Sequence, residues 1–354
     1  MSRALIAMSG GVDSAVAALL TKNAGYDCVG CTMRLHDNAD EETLREGTCC
    51  SLRDVEDAKS VAVKLGMPYY VFNFAEDFEE KIIRKFIAAY ECGRTPNPCI
   101  DCNRYMKFEK LYERAQLLHC DYVVTGHYAR IEKENGRWLL KKGLDENKDQ
   151  SYVLYSMTQG QLAHTLFPLG SLTKDTTRAL ARENGFINAS KPDSQDICFV
   201  PDGDYAAVIE RYTGKKAEPG NFIDREEHIL GKHKGIIHYT IGQRRGLGIP
   251  AERSYYVTAI DPVNNTVTLS FGEGLFTDTV TVGDINLIAM EKIDAPLRCT
   301  AKIRYRHPAQ PATVIQTDDN ALQIKFDAPQ RAVTKGQAAV LYLGDTVLGG
   351  GTIK

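Results

Sequence analysis

The stretch Ala4-Leu5-Ile6-Ala7-Met8-Ser9-Gly10-Gly11-Val12-Asp13-Ser14 decides how the first half of the chain is read. A short apolar run passes into a polar turn with two glycines, and the turn passes into a helical pattern striped by Val16, Leu19 and Leu20. That is a strand, a loop and a helix N-terminus, the repeating unit of a doubly wound parallel sheet. The loop is also a phosphate cradle. Two glycines let the backbone turn tightly and present amide hydrogens, the helix N-terminus adds positive potential, and the Ser9 and Ser14 hydroxyls can donate to oxyanions. Asp13 can help to hold a magnesium ion. Any strand-to-helix turn in such a sheet favours glycine, so the six-residue word, and not its glycines, carries the signal. It is neither a Walker A loop nor a G-x-G-x-x-G dinucleotide fingerprint.

Further short apolar runs at 28–33, 69–74 and 122–125 are each followed by a loop and a helical pattern. They predict a Rossmann-like α/β layer with a parallel sheet covered on both faces. Ser51 and Asp54 start a helix in which Val55, Ala58, Ala62 and Leu65 recur at helical spacing, and Gly66 with Pro68 stops it. Glu134-Asn135-Gly136 predicts a hairpin turn, and 151–200 reads as mainly helical, with a cap near Thr173. A short helix at 204–212, Gly- and Pro-punctuated segments at 214–250 and strand patterns at 255–271 suggest a small linking domain over 201–278. The segments 298–306, 321–326 and 337–343 alternate with period two, predicting a C-terminal antiparallel β-barrel over 279–354. The nucleotide domain is then 1–200.

The 354 residues carry 43 Lys and Arg against 46 Asp and Glu, a formal charge of -3 that excludes a uniformly basic nucleic-acid coat and an acidic solvating chain alike. No stretch approaches the roughly 18 consecutive apolar residues of a membrane span, and the N-terminus lacks a signal peptide, so a cytoplasmic protein without a membrane partner is expected. Ten cysteines, dilute and unevenly spaced, fit a reducing compartment.

Cys99-Ile100-Asp101-Cys102 stands in a loop closed by Thr95-Pro96-Asn97-Pro98 and opens a helix with the apolar face Met106, Leu111, Ala115 and Leu118. Cys102 is thus expected at or beside the N-cap, where the helix terminus and Arg104 lower a thiol pKa from its ordinary value of about 8.5. A nucleophile or a metal ligand wants that position; packing against the helix is the alternative. Cys28 and Cys31 share the spacing, but strand residues three apart point to opposite faces, and the intervening chain far exceeds the ~15–20 residues of a zinc ribbon. They read as small buried residues. Cys92, Cys120 and Cys299 read as packing cysteines, and the Cys49-Cys50 pair stays open. In Ser194-Gln195-Asp196-Ile197-Cys198-Phe199, Ile197 and Phe199 would face the core and the Cys198 thiol the other way.

The word Ser9 to Ser14 resembles the signature of the N-type ATP pyrophosphatases, the PP-loop superfamily of adenine nucleotide alpha hydrolases. Its members cleave ATP between the alpha and beta phosphates and use AMP to activate a carbonyl oxygen. Added to it are Gly126-His127-Tyr128-Ala129-Arg130, Asp149-Gln150-Ser151-Tyr152, Ile197-Cys198-Phe199, the segment 238–248, Arg304-Tyr305-Arg306 and Gly336-Gln337-Ala338-Ala339-Val340. Together these resemble the tRNA-specific 2-thiouridylases over nearly the whole chain. The resemblance implies ATP with Mg2+, held by Ala7, Met8, Ser9, Gly10, Gly11, Val12, Asp13, Ser14 and Met33 with Gly126 nearby. It implies Asn97, Pro98 and Cys99 at the wobble uridine of the tRNA, and further tRNA contacts from His127, Asp149, Gln150, Ser151, Tyr305, Arg306 and Gln337. The implied catalytic residues are Asp13, Cys102 and Cys198, with a persulfide on Cys198 and attack by Cys102 to release its sulfur. A cysteine desulfurase, a sulfur-relay protein or free sulfide would supply that sulfur. One departure matters. Much of the family has Asp where this chain has Cys99, and Cys-x-x-Cys with a later cysteine resembles thiolation enzymes that hold a 4Fe-4S cluster on three thiolates. A cluster on Cys99, Cys102 and Cys198 is therefore a competing expectation to the persulfide.

A reading independent of the resemblance also points to RNA. Lys302, Arg304 and Arg306 alternate with Ala301, Ile303 and Tyr305, and 298–310 holds four Lys or Arg and no acid. Such a stripe suits a phosphate backbone, with a solvated barrel face as the alternative. If the three strand residues each neutralise one phosphate, log affinity falls with log salt by roughly 2 to 3 units of slope. The rival readings are a PP-loop synthetase for a small metabolite and a non-enzymatic zinc-binding RNA module.

Overall fold

The computed structural model describes residues 1–35, 52–192, 197–200 and 203–354. The chain forms two compact units, one of 1–82, 98–201 and 344–349, the other of 83–97, 202–343 and 350–354. In the first, the four apolar runs become β1 (Arg3–Ala7), β2 (Asp27–Arg34), β3 (Tyr69–Asn73) and β4 (Tyr122–Val124). The hairpin β5 (Ala129–Glu134) and β6 (Arg137–Lys142) follows. Asn135 and Gly136 both have positive φ, as a two-residue turn that matches strand twist requires. With β7 (Thr165–Leu166), the parallel sheet has the order β3-β2-β1-β4-β7.

β1 is central, and its Ala4, Leu5 and Ile6 are fully buried. Helices α1 (Val12–Asn23) and α2 (Leu52–Lys64) share one core with it, into which α1 turns Ala15, Val16 and Leu19 and α2 turns Ala58, Val61 and Ala62. β3 is an edge strand with a single neighbour, so Tyr70 and Val71 stay exposed although their run reads as core. The connections from β1 run to β2 on one side, while β4 lies on its other side. That reversal opens a crevice at the carboxyl ends of β1 and β4, the place where open α/β sheets bind ligands.

The segment 151–200 is less helical than its pattern suggests. It holds a 3-10 turn at Ser151–Leu154 and helices at Gln159–Ala163 and Lys174–Glu183, the last capped by Thr173, whose Oγ1 accepts from Thr176 N. Gly185, at φ +59°, ends that helix, and the described residues beyond it are turns.

In the second unit, Asp204 caps the helix Tyr205–Thr213 through Ala207 N (3.0 Å). β8 (Gly220–Ile223), β9 (Ile229–His233), β10 (Tyr256–Asp261) and β11 (Thr266–Ser270) form a sheet of order β10-β11-β8-β9 around Phe222, Tyr239, Val257, Val267 and Leu269. β12 (Phe276–Leu287), β13 (Leu297–Lys302), β14 (Gln310–Asp318), β15 (Ala321–Arg331), β16 (Ala338–Leu343) and β17 (Thr346–Ile353) pair in the order β12-β15-β14-β13-β16-β17. Pairing of β12 with β17 closes the barrel, which leaves no edge among these strands. Along β15, Leu322, Ile324 and Phe326 are buried while Gln323, Lys325 and Asp327 are exposed, the alternation a barrel wall demands. The basic stripe is shorter than its periodicity implies. β13 ends at Lys302, and a turn closed by His307 N on Arg304 O (3.1 Å) carries Arg304, Tyr305 and Arg306. Among the described residues, no helix is long and apolar enough to cross a membrane.

Candidate active site

The loop after β1 is tied down from both sides. Met8 N donates to Cys31 O (2.7 Å), so the chain leaves the sheet still anchored to β2. Gly10 has φ +74°, and a Cβ there would lie 2.4 Å from Asp54 O, so conformation and space both demand glycine. Gly11, the N-cap of α1, is different. Its φ is -88°, and a Cβ would meet only Ser9 Oγ at 3.6 Å, so folding does not require glycine there. Asn188 Nδ2 donates to Gly10 O (3.1 Å) and Gly11 O (3.2 Å), satisfying the loop's carbonyls from behind. Lys191 reaches Gly10 O, Asp54 and Asp57; burial works against its ammonium, but the bonds to the two aspartates outweigh burial and raise its pKa. Ser14 Oγ donates to Gly11 O (3.0 Å) and accepts from Ser9 N (3.2 Å). Its hydroxyl therefore braces the loop, a correction to its expected role as an oxyanion donor. Ser9 is exposed, whereas the side chains of Met8, Val12 and Met33 are buried and Ala7 is half-buried.

Asp13 is also engaged. Lys174 Nζ lies 2.7 and 2.8 Å from its two carboxylate oxygens, and Tyr128 OH donates to Oδ1 (2.8 Å). The carboxylate is charge-balanced by an ammonium, so the geometry does not leave it open as a magnesium ligand. Gly126, in the loop after β4, backs directly onto this turn, since a Cβ on it would lie 2.8 Å from the Asp13 carbonyl carbon. The loops after β1 and β4 thus meet at the sheet's crevice.

Two expected RNA contacts are buried instead. His127 is 6% exposed, packed between Phe108 and Phe167, with Nδ1 2.6 Å from Thr125 Oγ1 and Nε2 3.4 Å from Lys107 Nζ. An ammonium can only donate, so Nε2 accepts and Nδ1 carries the hydrogen. Burial, and then the Lys107 charge, push its pKa well below the ordinary histidine value. It is a core histidine. Ser151 is fully buried, and its N and Oγ donate to Asp149 (3.1 and 2.9 Å). Gln150 grips Tyr128 by both backbone groups: its Oε1 accepts from Tyr128 N (3.0 Å) and its N donates to Tyr128 O (2.9 Å). Gln150 thus braces the tyrosine that holds Asp13, while Asp149 accepts from Ser151 and from Gly143 N (3.1 Å).

The helix bearing Cys102 starts earlier than expected. Pro98 takes its first position, which suits a residue without an N–H, and Cys102 lies one turn inside, at the start of a π-helical run Cys102–Lys110. Helix-terminus stabilisation of a thiolate fades within the first turn, so Cys99 and not Cys102 has the terminal position. Pro98, Ile100 and Asn103 are buried, the last donating to Val153 O (3.0 Å), which leaves Cys99 exposed and Cys102 half-exposed. Cys198 is also half-exposed, in a turn closed by Val200 N on Ile197 O, next to Phe199, which packs edge-on against Phe78. The other described thiols differ. Cys28, Cys31, Cys120 and Cys299 are buried, and burial raises their pKa values, to about 11 for Cys28 and Cys299. Cys92 is exposed, not packed, while Cys49 and Cys50 lie outside the described residues. The sulfurs of Cys99, Cys102 and Cys198 do not all three lie within 4.8 Å of one another, so they do not form a cage for a single ion. A cluster, whose thiolates bind different irons, does not need that closeness.

In the second unit, Tyr305 and Arg306 are exposed. Arg298 is paired at 2.7 and 2.8 Å with Asp327, which cancels one charge of the basic stripe. Arg304 donates to Arg331 O. Gln337 Nε2 donates to Thr95 O (2.7 Å) and so fixes the segment leading to Asn97, which is half-buried. Lys174, Asn188, Lys191 and Tyr128 have no part in the sequence reading of the loop. The one available signal is Lys174 itself, a cation in the first turn of a helix, where the dipole disfavours it.

The parallel sheet and glycine loop define a PP-loop α/β protein. The family described as "tRNA methyl transferase HUP domain" matches residues 2–202, with a "tRNA methyl transferase PRC-barrel domain" at 206–270 and an "Aminomethyltransferase beta-barrel domain" at 277–353. The tRNA-specific 2-thiouridylase MnmA of Clostridioides difficile (strain 630) is 51% identical over 99% of this chain and 98% of its own. A protein of the same name from Acetivibrio thermocellus is 50% identical over 99% of each. The chain belongs to the tRNA-specific 2-thiouridylase family. Among solved structures, an NMN synthetase from Francisella tularensis is 17% identical, covering 61% of this chain and 79% of its own, with a TM-score of 0.35.

Proposed function

We propose that the chain thiolates C2 of the wobble uridine of tRNA at the expense of ATP. The uracil O2 attacks the alpha phosphorus, the bond to the beta phosphate breaks, and pyrophosphate leaves; the adenylated oxygen is then displaced from C2 by sulfur, with AMP as leaving group. The observation that carries this reading is that one compact unit holds both the adenylation-type loop and the only half-exposed thiols among the described residues, Cys102 and Cys198. On the persulfide route, Cys102 attacks the inner sulfur of a Cys198 persulfide. The outer sulfur goes to C2, and a Cys102–Cys198 disulfide remains, which a thiol reductant must reduce before the next turnover. On the cluster route, Cys99, Cys102 and Cys198 would hold a 4Fe-4S group, which would supply an iron site for the sulfide. Exposed Cys99, a third accessible thiol in the same unit, is what favours keeping this second route.

ATP is taken to bind as its magnesium complex along the loop 7–14, with Gly126 and Met33 beside it. The barrel, 279–354, is taken to meet the tRNA through Tyr305 and Arg306, and 201–278 to link it to the nucleotide domain, 1–200. The test is incubation with unmodified tRNA, ATP, magnesium and a sulfur source, a cysteine desulfurase with cysteine or free sulfide, followed by mass spectrometry of the nucleosides. Exchange of oxygen for sulfur supports the reading; addition of a methyl group, as the family descriptions would have it, rejects it. Normal yield from Cys102→Ala removes the sulfur route through that residue. Iron and acid-labile sulfide in anaerobically purified protein, lost in Cys99→Ala, selects the cluster.

A further inference from the structure

A phosphate-binding helix start that carries an aspartate poses an electrostatic problem, and the structure shows how this chain meets it. Asp13 lies in the first turn of α1, two residues after the N-cap Gly11, where the free amides and the dipole would receive a phosphate. An uncompensated carboxylate there would repel the same anion. Lys174 supplies the compensation from a position 161 residues away, with Nζ 2.7 and 2.8 Å from the two Asp13 oxygens. Its placement works against its own stability. The residue is 8% exposed, a rare state for lysine, and it occupies the first position of its helix, where a cation meets the positive end of the dipole. Its surroundings hold it there: Lys174 N donates to Asp145 Oδ2 (3.0 Å), and the ammonium lies 5.9 Å from the centre of the Tyr128 ring. A cation kept at a helix start against burial and dipole alike, beside a glycine loop, is placed for an anionic ligand.

We propose that Lys174 is a pyrophosphate-binding residue of the nucleotide loop: its ammonium neutralises Asp13 and meets the beta and gamma phosphates of ATP and the pyrophosphate that leaves. The proposal rests on the ATP reading above and adds a residue and a ligand moiety to it. A lysine that merely pins α1 to its neighbour would affect every ligand of the loop equally. One that meets the beta and gamma phosphates discriminates ligands that have them from AMP, which lacks them.

The experiment uses the full chain without tRNA and measures binding of ATP, magnesium pyrophosphate and AMP by calorimetry, with thermal melting alongside. For Lys174→Met, ATP and pyrophosphate affinities should fall roughly 10- to 100-fold, the loss expected for one charge-assisted hydrogen bond, while AMP binding is kept. Lys174→Arg should recover most of the loss. Because Lys174→Met leaves Asp13 without its cation, the charge-balanced Asp13→Asn/Lys174→Met double variant is measured too; it should melt near the wild type and still bind pyrophosphate weakly. Unchanged pyrophosphate affinity in Lys174→Met, with wild type binding normally, overturns the proposal and leaves the ATP reading standing. So does a parallel loss for AMP and pyrophosphate that the double variant restores, because the lysine is then a structural pin. A wild-type protein that binds neither ATP nor pyrophosphate overturns the ATP reading itself.

Discussion

Gly10 and Gly11 are adjacent and look equivalent in the motif, yet replacing each by alanine should have opposite consequences. At Gly10, alanine must adopt φ near +74° and place its Cβ 2.4 Å from Asp54 O and 2.7 Å from Asp54 Cα, both backbone atoms that cannot rotate away. The left-handed conformation costs roughly 1–2 kcal/mol and overpacking about 1–3, so Gly10→Ala should lose about 2–5 kcal/mol. At Gly11 the φ is ordinary and the nearest atom is 3.6 Å away, so the loss is confined to the N-cap preference, about 0.5–1 kcal/mol. Trp138, the only tryptophan of the chain, lies on β6 in the same unit as the loop, and its fluorescence reports that unit's unfolding in urea. Gly10→Ala should lower the urea midpoint by roughly 1–2 M, Gly11→Ala by a few tenths. ATP affinity should show the converse. If Gly11 is glycine because phosphate approaches its Cα, Gly11→Ala should lose ATP binding at least about tenfold in a folded protein, equivalent to about 1.4 kcal/mol. Equal midpoint shifts for the two variants, or an unchanged ATP affinity for Gly11→Ala, would refute the division of labour between the glycines.

Three further outcomes follow from the geometry. Tyr128→Phe removes the hydroxyl donated to Asp13 and should cost about 1–2 kcal/mol by the same fluorescence titration; no change would mean that the Gln150 brace serves another purpose. His127 has its folded-state pKa held well below the unfolded value, so the unfolded chain takes up the proton first; stability is steady above about pH 6.5 and falls below it by up to ~1.4 kcal/mol per pH unit. His127→Phe should remove that share of the slope, leaving the additional shares of His233 and His307, which are shifted the same way, and an unaltered slope would contradict a neutral core histidine. In filter binding to tRNA at several salt concentrations, Arg306→Ala should weaken affinity and lower the salt slope by about one, whereas Arg298→Ala, already neutralised by Asp327, should change neither; the reverse order would sink the assignment of the basic turn.

The sheet was legible because each strand is a short apolar run with a loop and a helix behind it, and the hairpin because Asn135-Gly136 has the chemistry of its turn. The word at 9–14 located the loop equally well. What surrounds the loop was not legible, for a physical reason: Lys174, Asn188 and Lys191 reach it across more than 160 residues of chain, and no local spacing encodes such a contact. The sequence also cannot separate a residue that touches a ligand from one that holds its neighbour. Asp149, Gln150 and Ser151 form a polar word suited to RNA, yet they hydrogen-bond to Tyr128, to Gly143 and to each other. Period two misled at 303–306 because Ile303 is buried and Arg304 is not, which continues the alternation of β13 into a turn.

The π-helical run after Cys102 makes the site vulnerable to a kind of change that substitution scanning would miss. Its hydrogen bonds span five residues where an α-helix spans four, so it spends more chain per turn than the regular segments on either side. Leu111 and Ala115, both fully buried, fix the far end of the helix, and buried Pro98 and Ile100 fix the near end. Deleting one residue between 103 and 110 forces a choice: a run that keeps its wide winding turns everything on its N-terminal side by roughly a quarter of a turn relative to the core, whereas one that tightens into an ordinary α-helix offsets most of the missing residue. On the first course the core would remain filled while the Cys102 thiol swung to another face. For this stretch, chain length is as much a part of the site as the cysteine is.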